Sequence, residues 1–147
     1  MTHEDSGKYA AKHPKENTLN KKIAEAIRKM SPGGTLACGS AEKISGDLQF
    51  EIAQVGITAD LLEVKIDKCQ LGLFGWGQKP NHGKDIPAID TVSGKIKNAL
   101  DAAAENGAVT CASLWRIADQ LGVNRKTVSA TCDALKLKIR QCQLGAF

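Results

Sequence analysis

Several hydrogen-bond donors follow a single capping amide in the last quarter of the chain. Asn124 precedes Arg125, Lys126 and Thr127, and Ser129 lies two positions further on. If Asn124 caps a helix, the next residues form its first turn and project into solvent. Arg and Lys can donate to phosphates or guanine edges, and Thr and Ser can donate to phosphates. The stretch is therefore a candidate surface for binding duplex DNA.

The residues on either side of Asn124 predict the elements that would position this surface. Ser113 is a good N-cap, and apolar residues recur after it at helical spacing: Leu114, Ile117, Ala118 and Leu121. Gly122 can adopt the positive φ of a tight turn, and Asn124 would begin the next helix. That helix is expected to end near residue 136. Residues 137–140 then have the pattern of a strand, from which Lys138 and Arg140 could reach flanking phosphates.

The chain contains two copies of one segment. Residues 18–74 align without a gap on residues 91–147, with 20 identities over 57 positions. Both copies end in nearly the same way, as KIDKCQLGLF and KIRQCQLGAF. This repeat is longer than the roughly 20–50 residues of solenoid repeats, so we predict two small tandem domains. Residues 75–90 are rich in Gly and Pro and are expected to be a linker, and residues 1–17 a flexible tail.

The two copies predict the same order of elements. In the second, a helix near 91–105 and a short strand at 108–111 precede the elements described above. In the first, a helix at 19–30 is followed by a short stretch at 36–38, and then helices at 40–48 and 52–63 and a strand at 64–66 are expected. The predicted fold class is mainly α with short β, in two tandem units of three helices and a small sheet.

Helix, short strand, helix, turn, helix, strand is the order of a winged helix-turn-helix domain. The stretch from Ile117 to Ser129 resembles the helix-turn-helix of bacterial and archaeal transcription regulators, and the resemblance is specific over residues 113–136. It implies that the first turn of the third helix enters the major groove of duplex DNA. Ala130 would also face the groove, with only a methyl group to offer. Few residues follow Arg140, so a stunted wing is expected.

The first copy lacks the donors on which this interpretation depends. Arg125 and Lys126 align with Ile52 and Ala53, and the region 49–63 carries −3 where 122–136 carries +2. Phosphate neutralisation supplies most of the affinity for a duplex, so such a helix would be repelled from it. We expect the first copy to pair with its twin, to dimerise or to bind another protein, with Ile52 as a natural contact.

Four of the five cysteines are duplicated at one separation, as Cys38 and Cys69 in the first copy and Cys111 and Cys142 in the second. Three interpretations remain open: small buried hydrophobic residues, a redox-sensitive pair in each copy, or a metal site. No C-x-x-C spacing is present, so no metal is assigned.

Composition limits the class of protein. The net charge is +4, of which residues 88–147 contribute +3, and this permits a nucleic-acid partner. No apolar run approaches the roughly 18–20 residues that cross a bilayer, and no secretion signal is visible, so a cytoplasmic protein without membrane contact is expected. The three histidines lie in the tail or the linker. Neither a phosphate-binding loop nor a nucleophile arrangement is recognisable, so we predict no enzyme and no cofactor.

The resulting hypothesis is a cytoplasmic transcription regulator whose second copy binds double-stranded DNA. The predicted contacts are Asn124, Arg125, Lys126, Thr127, Ser129, Lys138 and Arg140. One alternative is an interaction module in which both copies recognise protein, and another is a thiol- or metal-responsive sensor that uses the duplicated cysteines. The hypothesis requires Arg125 and Lys126 to be available, and it fails if the protein's own carboxylates hold them.

Overall fold

The computed structural model describes residues 20–77 and 83–147, in which one order of elements occurs twice. In the first copy the elements are α1 (Lys21–Met30), β1 (Thr35–Ala37), α2 (Cys38–Leu48), α3 (Ile52–Leu61) and β2 (Lys65–Asp67). In the second they are α4 (Gly94–Ala103), β3 (Ala108–Thr110), α5 (Cys111–Leu121), α6 (Arg125–Ala134) and β4 (Lys138–Arg140). The predicted fold class, mainly α with short β, is confirmed. The expected tail and residues 78–82 of the expected linker lie outside the described residues.

Side-chain caps explain where several helices begin. Asn20 precedes α1, and its Oδ1 accepts a hydrogen bond from the amide of Ile23 at 3.0 Å. Thr110 caps α5, because its hydroxyl accepts from the amide of Ser113 at 3.2 Å. The prediction of Ser113 as the cap of this helix is wrong. Ser113 already lies within the helix, and its amide donates a hydrogen bond to the hydroxyl of Thr110.

Each copy has a small sheet of two parallel strands. Leu36 of β1 lies opposite Ile66 of β2, and Val109 of β3 lies opposite Ile139 of β4. The strand that precedes the second helix therefore pairs with the strand that follows the third in each copy. The expected stunted wing is absent: residues 141–147, all of which the structure describes, form no strand. A wing hairpin needs two neighbouring antiparallel strands, but β4 is the one strand after α6 and it pairs in parallel with β3.

The backbone repeats as closely as the sequence does. Five pairs of aligned residues have positive φ angles of similar size: Gly34 and Gly107, Gln49 and Gly122, Glu63 and Lys136, Lys68 and Gln141, Gly72 and Gly145. Three of these pairs include residues other than glycine, for which a left-handed conformation is uncommon. The same turns are thus formed even where the residue types disagree, so the two copies share a fold and not only a pattern of identities.

The chain divides into two compact units that do not coincide with the two copies of the repeat. Unit 1 contains the chain up to Cys69 together with Gln143–Phe147, and unit 2 is Gln70–Cys142. Each unit has a core of aliphatic side chains with little aromatic content. In unit 1 the fully buried side chains include Ile23, Ile27, Leu36 and Val55, and in unit 2 Leu71, Leu100, Val109, Leu114 and Val128. No described helix has the length and apolar content needed to span a bilayer.

Candidate nucleic-acid interface

Helix α6 begins as the sequence predicts. The Oδ1 of Asn124 accepts a hydrogen bond from the amide of Lys126 at 2.8 Å, which satisfies one of the amides that a helix start leaves without a partner. Gly122, with φ of 66°, ends α5, and its amide donates to the carbonyl of Ala118. The turn and the cap predicted from these two residues are confirmed. They place Arg125 and Lys126 in the first turn of α6.

Arg125 is held by three side chains of unit 2. Its guanidinium carbon lies 3.9 Å from the centroid of the Trp115 ring, and one terminal nitrogen is 3.2 Å from a carboxylate oxygen of Asp119. The other terminal nitrogen donates to the Oε1 of Gln70 at 3.0 Å. The Arg125 side chain is only 17 % exposed, so this cation is largely withdrawn from solvent.

Lys126 is held in a similar way. Its ammonium lies 3.6 Å from the centroid of the Trp76 ring and forms an ion pair with Asp85. The backbone fixes Asp85, because its amide donates to the carbonyl of Gly72 at 2.8 Å. A Cβ added to Gly72 would lie 2.9 Å from the carbonyl carbon of Asp85, so the close approach requires glycine.

The protein's own carboxylates therefore engage both cations of the first turn. The charges of Arg125 and Lys126 are balanced by those of Asp119 and Asp85, which leaves the start of α6 close to neutral. The condition under which the sequence-based hypothesis fails is met for this turn. A phosphate would have to displace a carboxylate from each cation, so the turn offers little of the counterion release that drives duplex binding.

Two further residues expected to face DNA are buried. Ser129 is 1 % exposed and Ala130 is 3 % exposed, and within the described residues the Ser129 Oγ has no hydrogen-bond partner. The prediction that they form part of the contact surface is wrong. Both lie on the side of α6 that packs into the core with Val128. Thr127 is half-buried, and with Asn124, Lys126, Asp85 and Pro87 it lines a groove of about 320 Å³.

A different group of cations is exposed on unit 2. Lys136, Lys138 and Arg140, here called the cationic row, are all solvent-exposed, and none forms an ion pair within the described part of the chain. Lys138 and Arg140 are alternate residues of β4, so they point to the same face, about 6.6 Å apart along the strand. Two residues of the row, Lys138 and Arg140, line a groove of about 460 Å³. The other lining residues are Leu73, Leu137, Ile139 and Asp133, the one acidic residue among them.

The first copy carries a different set of charges at the three aligned positions. Glu63, Lys65 and Asp67 stand where the second copy has the cationic row, so the net charge is −1 in one copy and +3 in the other. The strands themselves correspond, since β2 and β4 have the same register against β1 and β3. The difference therefore lies in the side chains on one shared backbone.

Sequence reasoning missed the residues that hold Arg125 and Lys126. Trp115 aligns with Glu42 and Asp119 with Gly46, so these two of the three partners of Arg125 occur in the second copy alone. Comparing the copies could have linked Trp115, Asp119 and Arg125, because all three replace a different residue type at the aligned position of the first copy. Asp85 and Trp76 belong to the expected linker, and no repeat position exists with which to compare them.

The duplicated cysteines are mostly packed inside the units. Cys38, Cys69 and Cys111 are buried and Cys142 is half-buried. Across residues 20–77 and 83–147, no three His, Cys, Asp or Glu side chains come together in a group that could hold a metal ion. The unduplicated Cys132 is also buried, and burial raises the pKa of its thiol to about 12, with the Asp133 carboxylate acting in the same direction. Its thiolate is therefore scarce at neutral pH, which makes Cys132 a poor nucleophile.

Comparison with known proteins adds no relative from which a function could be transferred. No protein-family model, no curated protein and no solved structure matches this chain.

Proposed function

We propose that unit 2 binds double-stranded DNA through the cationic row, as part of a regulator of transcription. The proposal rests on the charge difference between +3 and −1 at aligned positions of the two copies. Because Lys136, Lys138 and Arg140 are exposed and outside ion pairs among the described residues, they can neutralise phosphates of a duplex and release the counterions condensed on the DNA. This keeps the predicted contacts Lys138 and Arg140 and adds Lys136.

Such a surface recognises the phosphate backbone more than the base sequence. Lys138 and Arg140 project from a two-stranded sheet, and Arg can additionally bind a phosphate with two nitrogens. Asn124 and Thr127 stay accessible at the start of α6 and could add polar contacts. Arg125 and Lys126 then have a structural role, since they fix the loop that contains Asp85 and the side chain of Trp115.

The experiment gives the second copy the residues that the first copy has at two aligned positions. Fluorescence anisotropy with a labelled duplex would compare the native chain with a double variant that carries the first copy's residues, Lys136→Glu and Arg140→Asp. We expect the native chain to bind and the variant to lose at least about tenfold in affinity at moderate salt, because four units of charge change. The matched control is Lys97→Ala, which removes an exposed cation already paired with Asp101 on α4.

The outcomes separate the proposal from its rival. Equal affinities of the native chain and the double variant would overturn the assignment to the cationic row. If the native chain does not bind any duplex at low salt, DNA binding itself is overturned. A protein-interaction module then becomes the better account, which the nearly neutral first turn of α6 favours.

A further inference from the structure

Both copies end in a short segment of nearly the same sequence, and each segment contacts the third helix of a unit. We call residues 70–74 the first QLG segment and Gln143–Phe147 the second. The second copy contains the second segment, yet this segment belongs to unit 1. The first copy contains the first segment, yet this segment belongs to unit 2. Each unit is thus completed by the segment of the other copy.

In unit 1 the second QLG segment lies directly on α3. A Cβ added to Gly56 of α3 would be 2.8 Å from the carbonyl carbon of Leu144 and 2.9 Å from its Cα. Distances this short do not occur for real Cβ atoms, so only glycine permits the contact. Leu144 and Ala146 are 3 % and 5 % exposed, so the segment contributes apolar side chains to the core of the unit. Glycine is unfavourable in a helix interior, and the close contact with Leu144 accounts for it at position 56.

In unit 2 the first QLG segment contacts the equivalent helix. The side chain of Gln70 accepts a hydrogen bond from Arg125 at the start of α6, and Leu71 is fully buried. The contact residues Arg125 and Gly56 lie on corresponding helices, and the two segments share Gln, Leu, Gly and Phe. Segments of nearly the same sequence therefore contact the third helix in both units, through Gly56 in one and Arg125 in the other.

The connections to the segments are also alike. Lys68 and Gln141 occupy aligned positions shortly before the two segments, and their φ angles are 47° and 57°. A left-handed residue other than glycine redirects the chain at the end of β2 and of β4, away from the copy that it has just completed. The same turn thus delivers each segment to a different unit.

We infer that the α3 surface of unit 1 is a docking site for the second QLG segment of another copy of this chain, so that two chains can exchange these segments. The occupant is the one already seated there, and a surface that accepts the segment within one chain makes the same contacts with a segment from a second chain. Exchange of an identical element is a low-cost route to a dimer. Because connection within one chain gives an effective concentration on the order of millimolar, exchange is expected at high protein concentration or on refolding there.

The test detects exchange by isotope mixing in the full chain. Isotopically light and heavy chains, each with a photo-reactive leucine analogue at position 144, are refolded together at high concentration, and the dimer fraction is irradiated. Mass spectrometry then identifies peptides of α3 cross-linked to the segment that contains residue 144. We expect about half of these pairs to join a light to a heavy peptide, since equal populations exchange at random. If every such pair joins peptides of one isotope, there is no exchange and the inference is wrong.

Two controls show whether mixed pairs arise at the proposed site. Gly56→Ala introduces the clashing Cβ and should remove these cross-links, whereas Gly46→Ala, where an added Cβ meets nothing within 4 Å, should leave them unchanged. A synthetic hexapeptide with the sequence of residues 142–147 should reduce the mixed pairs, and the same peptide with Asp in place of Leu should not. Mixed pairs that resist both Gly56→Ala and the hexapeptide would come from another dimer surface and would also overturn the inference.

Discussion

The guanidinium of Arg125 stacks on the indole of Trp115, with 3.9 Å between the guanidinium carbon and the ring centroid. An arginine at the start of a third helix suggests a DNA contact, but here Arg125 has partners inside its own unit. Asp119 and Gln70 bind the same guanidinium. A cation over an aromatic ring is stabilising, and more so when it is withdrawn from water.

Arg125 is therefore expected to stabilise unit 2. Arg125→Ala should lower the free energy of unfolding by about 1–3 kcal/mol, because it removes a charged hydrogen bond and the ring contact together. Both tryptophans of the chain, Trp76 and Trp115, belong to unit 2, so their fluorescence during urea unfolding reports on this unit. The control Arg116→Ala removes an exposed cation of α5 and should change stability by less than about 0.5 kcal/mol. Equal effects of the two substitutions would contradict a structural role for Arg125.

The turn between the second and third helices offers a matched pair of substitutions. Gln49 has φ of 58° and Gly122 has φ of 66°, so the same left-handed position holds glutamine in the first copy and glycine in the second. Gln49→Gly should stabilise the first copy by about 1 kcal/mol, and Gly122→Gln should destabilise the second by a similar amount. Thermal unfolding followed by circular dichroism would measure both. A loss of stability in Gln49→Gly would show that the glutamine side chain makes contacts worth more than the strain.

The raised pKa of Cys132 predicts that the free energy of unfolding falls in alkali. Folding raises the pKa of this thiol from its ordinary value of 9.0 to about 12, so the folded state favours the protonated form. The stability linked to this proton is complete below pH 9 and is lost as the pH rises from about 9 toward about 12, by up to about 1.4 kcal/mol per pH unit.

The variant Cys132→Ala isolates this effect, because the first copy has Ala59 at the aligned position and so shows that the fold accepts alanine there. Urea unfolding at pH 7 and at pH 10.5 should show that the native chain loses more stability than the variant over this interval. Parallel losses in the two proteins would mean that Cys132 does not titrate differently in the folded and unfolded states.

The local features of the fold follow from the sequence because each has a local cause. Asn124 caps α6 and Gly122 adopts a positive φ, as their residue types demand. The duplication indicated that both copies form the same elements, and the paired φ angles support it. The residue types do not locate the cap of α5, because Thr110 and Ser113 are both good caps three residues apart. The backbone conformation selects Thr110.

The candidate site was harder to predict because its partners are distant in sequence. Lys126 is paired with Asp85, which is separated from it by 41 positions, and Arg125 with Gln70, which is separated by 55. A helical pattern gives the first turn of α6 but not what lies opposite it. The burial of Ser129 and Ala130 has the same origin, since the spacing of residues within α6 does not show how far the core extends around the helix. The assignment of each QLG segment to the unit of the other copy leaves no trace in a pattern analysis, because both copies have nearly the same sequence there.

The salt dependence of duplex affinity tests the central claim most directly. Two double variants are compared with the native chain over a range of salt concentrations: Lys138→Ala with Arg140→Ala, and Arg125→Ala with Lys126→Ala. Each phosphate contact contributes about 0.9 to the slope of log affinity against log salt, so the account predicts a slope reduced by about 2 in the first variant and unchanged in the second. A reduced slope in the second variant with an unchanged slope in the first would contradict it.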